Sequence, residues 1–165
     1  MPTLRFVGIP VLLCISGISS VGIADVGAQL VDRSTISLTS AHNAAAAAEA
    51  CARSRKIKIA FAAVDEDGQV ILSERMDGIS PLILQAAQDK ASTAAGVGVS
   101  TKSLEQAVNH DHVELLSIRH LVSVAGGVPL IVAGRVVGGV GVSGGESQDD
   151  ETCVTDAVHA LGVSK

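Results

Sequence analysis

The sequence predicts an α+β domain built on a five-stranded antiparallel sheet flanked by helices. Three observations carry that expectation. With 165 residues the chain is long enough for one domain with a real core and too short for two ordinary ones. Apolar residues recur at helical spacing in some stretches and alternate in others. Tight turn signals at Asp65-Glu66-Asp67-Gly68 and Gly134-Arg135 join strand-like runs, and links this short permit only antiparallel neighbours.

The elements follow in order. Thr39 or Ser40 can cap a first helix running to about Arg53, where five consecutive alanines make it favourable and slim. Ile57 to Val64 alternates, with Ile57, Ile59, Phe61 and Ala63 on one face, as in a strand. Gln69 to Met76 returns as the second strand of a hairpin. Ser80-Pro81 opens a helix with a capping residue and a proline at its first position, ending near Gly96. Thr101 to Val108 reads as a further helix, and Asp111 with Glu114 suits the start of a short one. Leu121 to Val124, Val128 to Ala133 and Val136 to Ser143 read as three more strands. Gly144-Gly145 breaks the run, and Ser147 can cap a last helix to about Leu161. Helices packed around five strands make a layered α+β domain, expected over 38–165.

Composition excludes several function classes. The chain is 47% hydrophobic and 18% charged, which is incompatible with intrinsic disorder. The net charge is −5, and Trp and Tyr are absent. Nucleic-acid binders need a basic face and, for single strands, aromatic platforms, so nucleic acid is not expected as a partner.

The N-terminus has the layout of a secretory signal peptide. Arg5 precedes an uncharged, mostly apolar run from Phe6 to Ala24, and Val26-Gly27-Ala28 offers small residues for cleavage. A cleaved peptide over 1–28, a mobile lead over 29–37 and a secreted or periplasmic protein with no membrane span follow as expectations. A retained anchor is the alternative, weakened by Pro10 and the glycines. Beyond Cys14, two cysteines remain. Cys51 and Cys153 suit a bridge in an oxidising compartment, or two buried free thiols.

Candidate binding residues are few. Arg75 ends a strand, and Lys90 lies in a helix rich in small residues. Cations at a cavity anchor carboxylates; the plainer reading is a salt bridge to Asp77 or Asp89. Thr93 suits a polar lining beside them. Gly126 and Gly127 can turn backbone N–H groups into a cavity, or simply bend the sheet. His42, in the first turn of the first helix, is a possible metal ligand near an anion-favouring terminus, or a solvated surface histidine. His110-Asp111-His112 with His120 is denser, but polar helix boundaries have this composition. The acidic run Glu146, Asp149, Asp150 and Glu151 complements a helix N-terminus.

Four motifs, in order, resemble the GlcG/HbpS family, which includes the C-terminal domain of PduO proteins. They are Arg75-Met76-Asp77-Gly78, then Asp89-Lys90-Ala91 with Thr93-Ala94-Ala95, then Gly126-Gly127-Val128-Pro129, then GVGVSGG over Gly139 to Gly145. The similarity spans about Leu38 to Leu161. It implies a profilin-like fold, a homo-oligomer and, for several members, haem binding, with His42 placed like a haem-linked histidine. The leading expectation is an exported haem-binding protein, possible roles being in haem, iron or redox stress. The alternative is a cofactor-free enzyme acting on a small organic acid or secondary metabolite, with Arg75 or Lys90 holding the carboxylate. No nucleophile–base motif supports that alternative.

Overall fold

The structure, a computed structural model, describes residues 33–162. The expected signal peptide over 1–28 and the first residues of the expected lead lie outside the described residues. Among the described residues no helix is long and apolar enough to cross a membrane.

Helix α1 spans Leu38–Arg55. It starts slightly earlier than the sequence suggests, because Ser37 is the cap: its hydroxyl accepts from the Ser40 N–H at 3.1 Å. The hairpin follows as β1 (Ala60–Val64) and β2 (Val70–Arg75). Asp65 shapes its turn by accepting N–H bonds from Asp67 and Gln69. Helix α2 (Pro81–Val97) has Ser80 at its N-cap and ends at Gly98 in the left-handed region. Helix α3 (Thr101–Asn109) and a short 3-10 turn (Val113–Ser117) lead to β3 (Gly127–Val132) and β4 (Arg135–Ser143), and α4 (Ser147–His159) closes the chain.

The sheet has four strands, not five, in the order β2-β1-β4-β3, with every pair antiparallel. The segment Leu121–Val124, expected as a strand, joins no ladder. Its backbone donors are satisfied elsewhere: the Leu121 N–H by Ile118 O at 3.3 Å and the Val122 N–H by Thr93 Oγ1 at 3.0 Å. A turn and a helix side chain therefore take the groups that sheet pairing would need.

Strand β1 is central and buried on both faces, and its alternation assigns each face to a helix layer. Ile59, Phe61 and Ala63 join the cluster that contains Ala44, Ala48 and Ala52 of α1 and Val154 and Val158 of α4. Ala60, Ala62 and Val64 pack with Ala87, Ala91 and Ala95 of α2. Small residues bring α2 down onto the sheet: a Cβ at Gly141 of β4 would lie 2.1 Å from Ala87 O. Only glycine permits that approach.

Two ties secure the α1 side. Cys51 of α1 and Cys153 of α4 form a disulfide, closing a loop with a sequence separation of 102. Of the expected mobile lead, residues 33–37 run beside β4, where the Ile36 N–H donates to Val137 O at 3.0 Å and the Ile36 side chain enters the core.

Candidate functional site

The expected site residues fall in two places. One is a buried junction of α2, β4 and α4; the other is a groove between α1 and β2.

Lys90 belongs to the junction. It is only 3% exposed. Its ammonium donates to Asp150 Oδ2 at 2.8 Å and to Val142 O at 3.1 Å. The sequence pointed to Asp77 or Asp89 as salt-bridge partners; neither pairs with it. The Asp77 carbonyl accepts from Lys58 Nζ at 2.7 Å, and Asp89 accepts from Gln85 Nε2 at 3.0 Å. The helical register turns Lys90 inward with Ala87, Ala91 and Ala94, toward α4. Burial pushes the Asp150 carboxyl above its ordinary value of 3.8, opposed by Lys90 and by the N–H groups of Gly145 and Gly144.

Gly126 and Gly127 make room for this pair and do not open onto a cavity. Gly126 has φ +115°, and a Cβ there would lie 2.6 Å from Val142 O and 3.0 Å from Lys90 Nζ. The Gly127 N–H donates to Thr101 Oγ1 at 2.8 Å. Thr93 is also buried. Its hydroxyl donates to His120 O at 3.2 Å and accepts from the Val122 N–H, pinning the 118–124 segment to α2. Lys90, Thr93, Gly126 and Gly127 thus share one internal region, and Arg75 is not part of it.

The groove holds Arg75 and His42. On α1, His42, Ala45, Glu49 and Arg53 are spaced three or four apart and form one stripe. Opposite stand Glu74, Arg75 and Met76 of the β2 end. Phe61 and Ile59 form a buried floor to a recess of about 70 Å³, also lined by Ala45, Glu49, Glu74, Arg75 and Met76. A second recess of about 370 Å³ shares Glu49, Arg75 and Met76 and adds Arg53, Lys58 and Asp77. His42 Nδ1 lies 3.4 Å from Glu74 Oε1. Arg53 pairs with Glu49 at 2.6 Å, one turn apart. Arg75 donates to Ile79 O, which props its guanidinium at the rim.

The donor set of the groove is specific in kind. It offers an aromatic and thioether floor, three cations (Arg53, Lys58 and Arg75) toward one end with the carboxylates Glu49, Glu74 and Asp77 among them, and the His42 imidazole beside Glu74. Such a surface complements a flat apolar guest that carries carboxylates. The smaller recess is below, and the larger within, the roughly 300–1,000 Å³ of a ligand pocket.

The other histidines gather no metal site. His110 Nδ1 is 2.7 Å from Gln106 O, and His112 Nδ1 is 3.0 Å from Glu114 Oε1. The Glu114 backbone N–H, and then His112, hold that carboxyl below its ordinary value of 4.5. Among the described residues no group of three or more His, Cys, Asp or Glu side chains could hold a metal ion. The α4 acidic run is used structurally: Asp150 pairs with Lys90, and Asp149 with Arg55.

Sequence reasoning missed Asp150 and most of the groove. The signal for Glu49 and Arg53 was present in their three- and four-residue spacing from His42. Glu74 and Lys58 become neighbours of that stripe only once the hairpin register is known.

Sheet order and the helix layers on its two faces define a small layered α+β domain with a lateral groove between α1 and β2. The chain belongs to the HbpS-like family, described as haem degrading protein HbpS-like, whose model matches residues 36–159. It is 35% identical to protein GlcG of Escherichia coli strain K12 over 98 residues, covering 59% of this chain and 73% of GlcG. Its fold is similar to the crystal structure of HbpS, with a TM-score of 0.77, 29% identity, and 82% and 96% of the two chains covered. It is also similar to PduOC, solved as a haem complex, with a TM-score of 0.72, 25% identity, and 79% and 97% covered.

Proposed function

We propose that this is an exported protein that binds haem in the α1/β2 groove, within a homo-oligomer. The observation that carries the reading is a groove lined by Phe61, Met76, Arg53, Lys58 and Arg75, with His42 standing beside its Glu74 wall. Haem, when bound, supplies iron for redox or peroxide chemistry. The chain's part would be to offer His42 as a ligand to the iron, to seat the ring against Met76 above the buried Phe61, and to anchor propionates on the cations.

Membership of the HbpS-like family and the fold shared with the PduOC haem complex support the reading. The apolar run near the N-terminus and the Cys51–Cys153 bridge support export. Large apolar side chains left in solvent on the α2 side of the sheet, among them Leu82, Val113, Leu116 and Ile118, support oligomerisation without placing the second copy on the groove.

In this reading Arg75 and His42 touch the ligand. Lys90, Thr93, Gly126 and Gly127 act at a distance, by fixing α2 and β4. The test is a haem titration of the secreted protein. A Soret band saturating at micromolar haem, weakened in His42→Ala, is expected. Its absence in the wild type overturns the reading. A native mass spectrum of the same sample is expected to show haem on a multimer.

A further inference from the structure

We infer that Glu74 is a positioning residue for His42, setting the orientation and tautomer of the imidazole. The inference rests on the haem reading of the groove. Glu74 sits on β2 opposite Phe61 in the hairpin register, so its side chain rises on the α1 face of the sheet. His42 comes down from the second turn of α1, not the first as the sequence suggests, and Nδ1 stands 3.4 Å from Glu74 Oε1. The two side chains are 56% and 50% exposed, and each has room to close the remaining distance.

A histidine that ligates a metal through one nitrogen commonly gives its other N–H to a carboxylate. That contact fixes the tautomer and raises the basicity of the ligating nitrogen. Closing the 3.4 Å gap would turn Nδ1–H toward Glu74 and leave Nε2, at the far end of the ring, as the free nitrogen. Covering the groove removes water from the pair and strengthens it. The second carboxylate of the groove, Glu49, is already paired with Arg53, which leaves Glu74 to serve His42. Asp77 and Lys58 lie along the larger recess with Arg75.

The test compares haem affinity and the ferric–ferrous midpoint potential in full-length secreted protein. Glu74→Ala is expected to weaken haem binding about 10-fold, within the range for outer-shell partners. Glu74→Gln keeps a hydrogen-bond acceptor but loses the charge, so it is expected to weaken binding less. Both variants are expected to raise the midpoint potential, because a less anionic imidazole stabilises ferric iron less. Arg75→Gln serves as the control, expected to lower affinity while moving the potential less. If His42→Ala abolishes binding but both Glu74 variants keep wild-type affinity and potential, the positioning role is overturned and the haem reading stands. If His42→Ala binds haem as tightly as wild type, the positioning role falls while haem binding stands; if wild type shows no Soret band, both fall.

Discussion

The junction and the groove are both built from ionised side chains, yet they do opposite things with them. At the junction one ammonium and one carboxylate are sealed between α2, β4 and α4, with every neighbour fixed. Along the groove the charges stand in water, one cation is paired within α1, and Arg75 leans on a backbone carbonyl. Buried charge is a commitment of the fold, because removing one partner strands the other in a medium that solvates it poorly. Exposed charge costs little to keep and remains available to a guest. The motif lysine and the motif arginine therefore differ in role although both lie in the family pattern: Lys90 organises the fold, and Arg75 faces outward.

The largest expected effect comes from cutting the covalent tie between the regions. The Cys51–Cys153 bridge joins α1, which carries the groove stripe, to α4, which carries Asp150. Closing so long a loop is worth about 4–5 kcal/mol in the chain-entropy model. Cys51→Ala/Cys153→Ala is expected to lower the unfolding free energy by about 4 kcal/mol in denaturant titrations. The wild type under reducing conditions is expected to match it. A loss below about 1 kcal/mol would show that packing alone holds α1 against α4.

Next comes the junction itself. Lys90→Met leaves the Asp150 carboxyl buried without its counter-charge and is expected to cost about 3 kcal/mol at pH 7. Lys90→Met/Asp150→Leu is expected to cost less than the two single changes added together, by about 2 kcal/mol, since the residues are in contact. Additive losses would break the contrast drawn above. In the groove, Arg75→Gln is expected to change stability by less than about 0.5 kcal/mol. It is expected to weaken haem binding by about 1 kcal/mol, roughly fivefold. A stability loss of junction size at Arg75 would mean the groove is a structural seam.

The same contrast explains what was legible in the sequence. Alternation marked the two faces of β1 correctly, because burial on both sides of a central strand follows from apolar side chains alone. Turn chemistry placed the hairpins, since Asp65 and Gly68 act locally. Leu121–Val124 was misread: a short apolar run does not reveal that Thr93, 29 residues earlier than Val122, takes its backbone donor. Lys90 was expected at a cavity because sequence shows charge but not the helix face that a distant acid will meet. Asp150 lies 60 residues away, within a run that already had a local explanation as helix-dipole chemistry. Half of the groove could be traced from His42 by helical spacing. The other half required the register of β2 against β1.

The smallest effect tests the junction through pH. Burial raises the Asp150 carboxyl above 3.8, so the folded state takes up this proton more readily than the unfolded chain does. The sign follows: the contribution of Asp150 to stability is fully present below 3.8 and is lost as pH rises through the folded value. In Lys90→Met/Asp150→Leu neither position titrates, which makes that variant the reference. The unfolding free energy of the wild type minus that of the reference is therefore expected to be larger near pH 3.5 than at pH 7. Arg75→Gln should run parallel to the wild type across the same range, since its site adds no buried acid. A wild-type advantage that grows with pH would mean that the Lys90 ammonium and the two glycine N–H groups outweigh desolvation. The pair would then stabilise the ionised acid.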